Sequence, residues 1–343
     1  MNAILLTGAL LAILSGLMNG SFTLPMRFLG RWEWENVWCL FIVGSCLLMP
    51  ATIVTVIAPH SWVILAQAPA RAVLIAIVTG FAWGFGAVLF GQSVSAIGIS
   101  LANTLVLAIS SALGSLLPML LLEPQNLFRP AGAKILLAVA VELAGIMLCG
   151  RAGRIREQAA GVDAERGGMV GHARPIRVAL LMAAGAGVLS AVFNIGFSLA
   201  QPIADCGRAA GLSQFSSTNL IWCIMLAAGA VSNLAFCFFL FRRNGSLKKF
   251  KQPGGLRLFG LSAGMALLWG GSIFVYGAAV PRLGSLGTSI GWPLSLAVGL
   301  LLANGIGIGM GEWRQAPAQA RKWMVSGIAV LLVAVILLSR ATL

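Results

Sequence analysis

Ten apolar runs constrain the fold of this chain more than any other feature. Each run is long enough to cross about 30 Å of hydrocarbon as a helix rising 1.5 Å per residue. The charged fraction of 9% agrees with this, since a soluble domain carries roughly 25%. We predict an all-α integral membrane protein with ten transmembrane helices. The runs cover roughly residues 4–24, 37–58, 72–97, 101–122, 134–150, 177–203, 214–241, 257–280, 284–309 and 323–339.

A basic stretch at residues 151–176 separates the runs into two groups of five. Arginine in the centre of a membrane helix costs about 2.5 to 3.5 kcal/mol on insertion scales, so this stretch is predicted to lie in water. The predicted organisation is therefore a first five-helix unit over residues 1–150, a basic cytoplasmic loop over 151–176, and a second five-helix unit over 177–343.

The distribution of Lys and Arg over alternate loops predicts the orientation. Loops on one side hold 17 of these residues and loops on the other side hold 6. Because basic loops stay in the cytoplasm, we expect both termini in the periplasm of a bacterial inner membrane. The net charge of +14 then indicates contact with anionic lipid headgroups, and nucleic acid is not expected as a partner.

The two groups of five runs resemble each other in sequence. The matched segments are Leu14–Phe22 with Leu189–Phe197, Trp38 with Trp222, Trp83 with Trp269, and Gly150–Ala152 with Ser339–Ala341. The spacing rises smoothly from 175 to 189 residues. Since five is odd, the second copy enters the bilayer in the opposite sense. Inverted repeats of this kind place a transport site at the midplane and alternate its access, which predicts a secondary transporter.

Polar side chains inside apolar runs are the candidates for a substrate site, because they must face protein or a water-filled cavity. Asn19 and Asn194 occupy equivalent positions in the two repeats, with Ser15 and Ser190 one turn away. We predict that these amides flank a central cavity. The alternative is that they hydrogen-bond one helix to another, which is common in membrane bundles.

A second group of candidates lies on the eighth run. Trp269, Ser272 and Tyr276 are spaced i, i+3 and i+7, so they share one helical face. Two rings and a hydroxyl suit a sugar, which stacks on aromatic faces and forms hydrogen bonds through its hydroxyls. Packing or interfacial anchoring is the alternative. Gln92 on the third run is a further predicted substrate-binding residue.

Glu142 is the one acidic residue deep within an apolar run. An ionisable group in such a position marks an ion pathway by default, which makes Glu142 a candidate proton carrier. A hydrogen bond across a helix interface is the alternative. Its repeat equivalent is Leu331, so the sequence contains no matching carboxyl group. No motif for a cofactor, a metal ion or a catalytic site is evident.

Several short motifs are similar to those of the bacterial L-rhamnose/proton symporter family, within the drug/metabolite transporter superfamily. They are Trp32, Trp34-Glu35 and Trp38, then Asn233-Leu234 with Phe236-Cys237-Phe238, and Glu312-Trp313. The resemblance covers nearly the whole chain and implies ten helices in two inverted repeats. It also implies L-rhamnose as substrate and coupling to protons. Around Ser272 and Glu142 the chain departs from the family pattern.

The predicted function is proton-coupled uptake of L-rhamnose or a related deoxy sugar by alternating access. A carrier or exporter of another small metabolite is an alternative on the same scaffold. Alternatives of another class are a membrane-embedded lipid-modifying enzyme and a non-transporting sensor. The expected partners are the sugar, protons and the lipid bilayer, and the sequence leaves the oligomeric state and the choice between protons and sodium open.

Overall fold

The computed structural model describes residues 3–28, 32–58, 60–160, 175–252 and 255–341. Within these ranges ten helices are long and apolar enough to span a membrane, as predicted. No β-strand occurs in the part of the chain that is described. The ten spans are α1 Ala3–Ser21, α2 Trp34–Ile57, α3 Ala70–Ile97, α4 Ile99–Leu122, α5 Pro130–Ala159, α6 Ile176–Ala209, α7 Gln214–Asn244, α8 Gly255–Leu283, α9 Gly287–Gly309 and α10 Ala318–Arg340.

The packing of the helices is unchanged when the first five are exchanged with the last five. Helix α3 packs on α6 and α7, as α8 packs on α1 and α2. Helix α1 packs on α9, as α6 packs on α4. Helix α4 packs on α5, as α9 packs on α10. Further contacts join helices that are equivalent to each other, α5 with α10, α4 with α9, and α2 with α7. This is the arrangement expected of the predicted duplication.

Glycines form two short turns between consecutive spans. Gly98 joins α3 to α4 with φ 84°, and Gly284 lies between α8 and α9 with φ 80°. These φ angles fall in the left-handed region, where a residue without Cβ avoids a steric penalty. The turns therefore hold α3 against α4 and α8 against α9 as hairpins.

Two features of the helices differ from the simple spans expected. Helix α2 contains a π-helical segment at Val43–Leu48, a deformation that is frequent at functional sites. Helix α5 runs to Ala159, nine residues beyond the end of its apolar run. This extension has partners: Arg151 lies over the ring of Trp323, and Arg156 lies over Trp313. The first part of the predicted basic loop is thus helical, and residues 161–174 lie outside the described residues.

Candidate functional site

A cavity of about 100 Å³ lies where α1, α3, α6, α8 and α9 meet. Five helices from both halves of the chain enclose it, so neither repeat forms it alone. It is called the central cavity below. Its lining consists of Ser15, Asn19, Trp83, Ser190, Phe193, Trp269, Ser272, Ile273, Tyr276, Trp292, Ser295 and Leu296.

Aromatic rings form much of the wall of the central cavity. Trp83 and Trp269 stack with ring centroids 5.0 Å apart and an interplanar angle of 14°. These two residues are the repeat-related pair found in the sequence, and equivalent residues touch only near the axis that relates two copies. Tyr276 meets Trp292 edge to face at 5.4 Å. The rings give the cavity apolar walls between its polar groups.

Hydroxyl pairs repeat on the two sides of the cavity. Ser15 Oγ lies 3.0 Å from Ser295 Oγ, between α1 and α9. Ser110 Oγ donates to Ser190 Oγ at 2.9 Å, between α4 and α6. Ser110 and Ser295 are separated by 185 residues, which falls within the spacing of the internal repeat. The two bonds are therefore equivalent, and each joins one repeat to the other near the cavity.

The two repeat-related asparagines have different surroundings. Asn194 is fully buried, donates to Gly114 O at 2.8 Å, and accepts a hydrogen bond from the hydroxyl of Tyr276. Asn19 is half-buried, lines the central cavity, and has no assigned hydrogen bond to any described residue. The equivalent of Tyr276 in the first repeat is Phe90, which has no hydroxyl to engage Asn19. Of these two asparagines, Asn19 is the one that presents an uncommitted amide to the cavity.

The other predicted substrate-binding residues fall into two groups. Trp269, Ser272 and Tyr276 all line the central cavity, as their shared helical face implied. Ser272 Oγ donates to Trp269 O at 2.6 Å, which leaves the hydroxyl oxygen able to accept a further bond. Gln92 lies half-buried near the end of α3 and is not among the lining residues. The structure therefore does not bring Gln92 together with the rest.

Glu142 is not among the residues that line the central cavity. Its side chain is completely buried, and its Oε2 accepts a hydrogen bond from Ser111 Oγ at 2.6 Å. No described residue partners Oε1. Ser111 is adjacent to Ser110, which bonds to Ser190 in the cavity wall. Within the part of the chain that is described, two consecutive serines of α4 connect Glu142 to the cavity wall.

Sequence reasoning did not select Trp83 and Ser295 as site residues, although both line the cavity. Trp83 was visible as the repeat equivalent of Trp269, and that relation alone would have nominated it. Trp292 donates from its Nε1 to Ser110 Oγ at 3.1 Å, so its ring is held in place. Ser295 lies in an apolar run, but so do many serines whose hydroxyl only bonds to the backbone of their own helix. Its position in the sequence therefore did not single it out.

The sequence model of the family described as L-rhamnose-proton symport protein (RhaT) matches residues 1–341. This chain belongs to that family. Proteins named L-rhamnose-proton symporter from Salmonella paratyphi B, Salmonella newport and Salmonella typhimurium are each 25% identical over 320 residues. The matches cover 91% of this chain and 91% of each relative. One protein of solved structure aligns with a TM-score of 0.51 at 19% identity, covering 95% of this chain and 98% of that one, which shows the fold alone.

Two of the motifs on which the resemblance rests, those on α2 and α7, connect the two repeats. Trp38 donates from Nε1 to Asn233 Oδ1 at 2.9 Å, and Asn233 donates to Gly84 O at 3.1 Å. Buried Glu35 accepts hydrogen bonds from Asn244 and Ser246. The motif residues therefore bond to one another across the repeats, and they do not line the central cavity.

Proposed function

We propose that this member of the RhaT family imports L-rhamnose, or a related deoxy sugar, together with a proton across the bacterial inner membrane. The observation that carries the proposal is the central cavity. It joins the stacked rings of Trp83 and Trp269 to the uncommitted amide of Asn19 at the junction of the two repeats. Apolar walls with a few convergent polar groups are typical of small-molecule sites.

Each lining group has a role in this proposal. The methyl group and apolar face of a deoxy sugar pack on the indole of Trp269, while Asn19 and the hydroxyl of Ser272 bind its hydroxyl groups. Asn194 holds the Tyr276 hydroxyl and thereby fixes the ring that closes one side of the cavity. Asn194 thus acts on the substrate through Tyr276.

Glu142 is the proposed site of proton coupling. An ionisable group in this position is costly, and the one hydroxyl that contacts it comes from the helix that also bears the cavity-wall contact Ser110. Both termini are proposed to lie in the periplasm, because the loops on the opposite side carry most of the Lys and Arg residues.

Uptake into membrane vesicles tests the proposal. Radiolabelled L-rhamnose should accumulate when a pH gradient, acid on the outer side, is imposed, and a protonophore should abolish the accumulation. A sodium gradient of equal size is the control for the coupling ion. Excess unlabelled sugars identify the substrate by competition. Uptake that does not change when the pH gradient is imposed would contradict the proposal. So would a competition experiment in which other sugars compete and deoxy sugars do not.

A variant at Glu142 tests the coupling residue separately. Glu142→Gln keeps the shape and the hydrogen bond with Ser111 but carries no exchangeable acid proton. Accumulation against a gradient should disappear, while exchange of internal for external sugar should continue, since exchange needs no net proton transfer. Unchanged accumulation would show that Glu142 only packs between helices.

A further inference from the structure

A second polar cavity lies between α4, α5, α9 and the connection from α9 to α10. Its volume is about 150 Å³, and it is called the α4–α5–α9 cleft. None of its lining residues is shared with the central cavity. The two are therefore separate cavities, and α9 contributes lining residues to both of them.

The mouth of the cleft is charged and its wall is polar. Arg156 Nη1 and Glu312 Oε2 form an ion pair of 2.9 Å there, with about a quarter of each side chain exposed. Deeper in, Asn103 and Asn304 line the wall. Asn304 Nδ2 is buried without a hydrogen-bond partner among the described residues. A buried donor without a partner is costly, and water entering from the charged mouth would satisfy Asn304 Nδ2.

The inner end of the cleft leads to Glu142. Ile146 of α5 lines the cleft one helical turn from Glu142, and Leu107 of α4 lines it one turn from Ser111. Residues four apart share a helical face. The stripe along α5 that borders the cleft therefore ends at Glu142. About 6 Å of helix, at 1.5 Å per residue, separates the carboxyl group from the cleft.

The surroundings of Glu142 hold few other groups that exchange protons. Helices α4 and α9 contain no acidic, basic or histidine residue. On α10, Leu331 packs at Gly145, and Lys322 and Arg340 are each nine residues from it along the helix. Cys149 lines the cleft, while Arg156, Glu157 and Glu312 lie at or near the mouth.

We propose that protons pass between Glu142 and one aqueous face through the α4–α5–α9 cleft, along a route separate from the path of the sugar. This inference rests on the proposed symport function. The face is the one that carries the basic loops, which is the proposed cytoplasmic side. On release, the O–H bond of Glu142 breaks, the proton passes to water in the cleft, and the remaining carboxylate accepts the Ser111 hydroxyl. Leu107 and Ile146 must part for this step.

Asn304→Leu tests the route by making the cleft wall apolar, and Asn304→Ser is the matched control that keeps it polar. Net uptake needs proton release in each cycle, whereas exchange proceeds with Glu142 protonated throughout. Net uptake by Asn304→Leu should fall at least about tenfold. Moving an unsolvated charge through an apolar passage raises the activation free energy by more than the amount that slows a step tenfold. Exchange should stay within about twofold of wild type, a barrier change below 0.5 kcal/mol.

Labelling of Cys149 gives an independent measurement. A membrane-impermeant thiol reagent should modify Cys149 from the cytoplasmic side only, as read by mass spectrometry of its peptide. Saturating L-rhamnose should not protect Cys149 but should protect a Ser295→Cys variant in the central cavity. Protection of Cys149 by sugar, or equal loss of net uptake and exchange in Asn304→Leu, would overturn the separate route. So would normal net uptake in Asn304→Leu.

These outcomes are distinct from failure of the symport function itself. If wild-type uptake does not respond to a pH gradient, the proposed function fails whatever the Asn304 variants do. If wild-type uptake responds and Asn304→Leu behaves like wild type, the symport function stands and the cleft route is wrong.

Discussion

Replacing Asn19 and Asn194 one at a time with alanine should give opposite phenotypes, although the two residues are equivalent in the sequence repeat. Asn194 makes two strong contacts within the protein, with Gly114 O and with the Tyr276 hydroxyl. Hydrogen bonds between membrane helices contribute about 0.6 kcal/mol on average and 1.7 at most. Asn194→Ala should therefore lower the free energy of unfolding by about 1 to 3 kcal/mol.

Asn19→Ala should leave the free energy of unfolding within about 0.5 kcal/mol of wild type, because no hydrogen bond to a described residue is lost. Its effect should fall on the sugar. One hydrogen bond to a hydroxyl contributes about 0.5 to 1.5 kcal/mol, so Kd for L-rhamnose should rise about 2- to 13-fold.

Both quantities can be measured on purified protein. Stability is measured from unfolding midpoints in detergent without sugar, and affinity for L-rhamnose is measured by calorimetry or a scintillation proximity assay. Tyr276→Phe is the matched control for Asn194, since it keeps the ring and removes only the hydroxyl. It should lower stability by about 1 kcal/mol. Equal stability loss in both Asn variants, or unchanged affinity in Asn19→Ala, would refute the assignment of a binding role to Asn19 and a positioning role to Asn194.

Three further substitutions test the packing and the site. Gly20→Ala would place a Cβ 2.3 Å from the carbonyl oxygen of Gly299, so α1 and α9 must separate. The free energy of unfolding should then fall by about 1 to 3 kcal/mol. An unshifted unfolding midpoint would show that the two helices are not in close contact. Trp38→Phe removes the indole donor to Asn233 and should cost about 0.6 to 1.7 kcal/mol in the same unfolding assay, with no change in sugar Kd. Trp269→Leu keeps an apolar side chain but removes the aromatic ring. Stacking of the sugar contributes about 0.5 to 1.5 kcal/mol, so the affinity for the sugar should fall. A loss smaller than about twofold would argue against stacking.

The sequence predicted the membrane spans and the correspondence of the two halves, because both follow from local patterns. Apolar length specifies a span, and the match of Trp83 with Trp269 identifies them as equivalent residues, whereas their contact appears only in the structure. The end of α5 was not predictable from hydropathy. Its last turns are polar, and they are helical because Arg151 and Arg156 find aromatic partners on other segments.

Part of the candidate cavity could be anticipated from the sequence. Trp269, Ser272 and Tyr276 share one helical face, and all three line the cavity. Gln92 looked equivalent to Asn19 as an isolated polar residue in an apolar run. Which face of each helix meets the cavity depends on how neighbouring helices are rotated, and spacing along a single helix does not contain that information.

The difference between Asn19 and Asn194 was also beyond the sequence pattern. It depends on Tyr276, which contributes a hydroxyl to one asparagine, while its equivalent Phe90 offers none to the other. The two repeats thus pack in the same way, while the difference between Tyr276 and Phe90 gives the two asparagines different hydrogen bonds.

Movement of protons caused by the sugar tests the account most directly. Proteoliposomes with no initial pH gradient should contain purified protein and a pH-sensitive dye in the lumen. Adding L-rhamnose outside should acidify the lumen as sugar enters, and the change should be absent with the Glu142→Gln variant and with a sugar that does not compete for uptake. Entry of L-rhamnose without acidification would contradict coupled transport, whatever the affinity of the central cavity for the sugar.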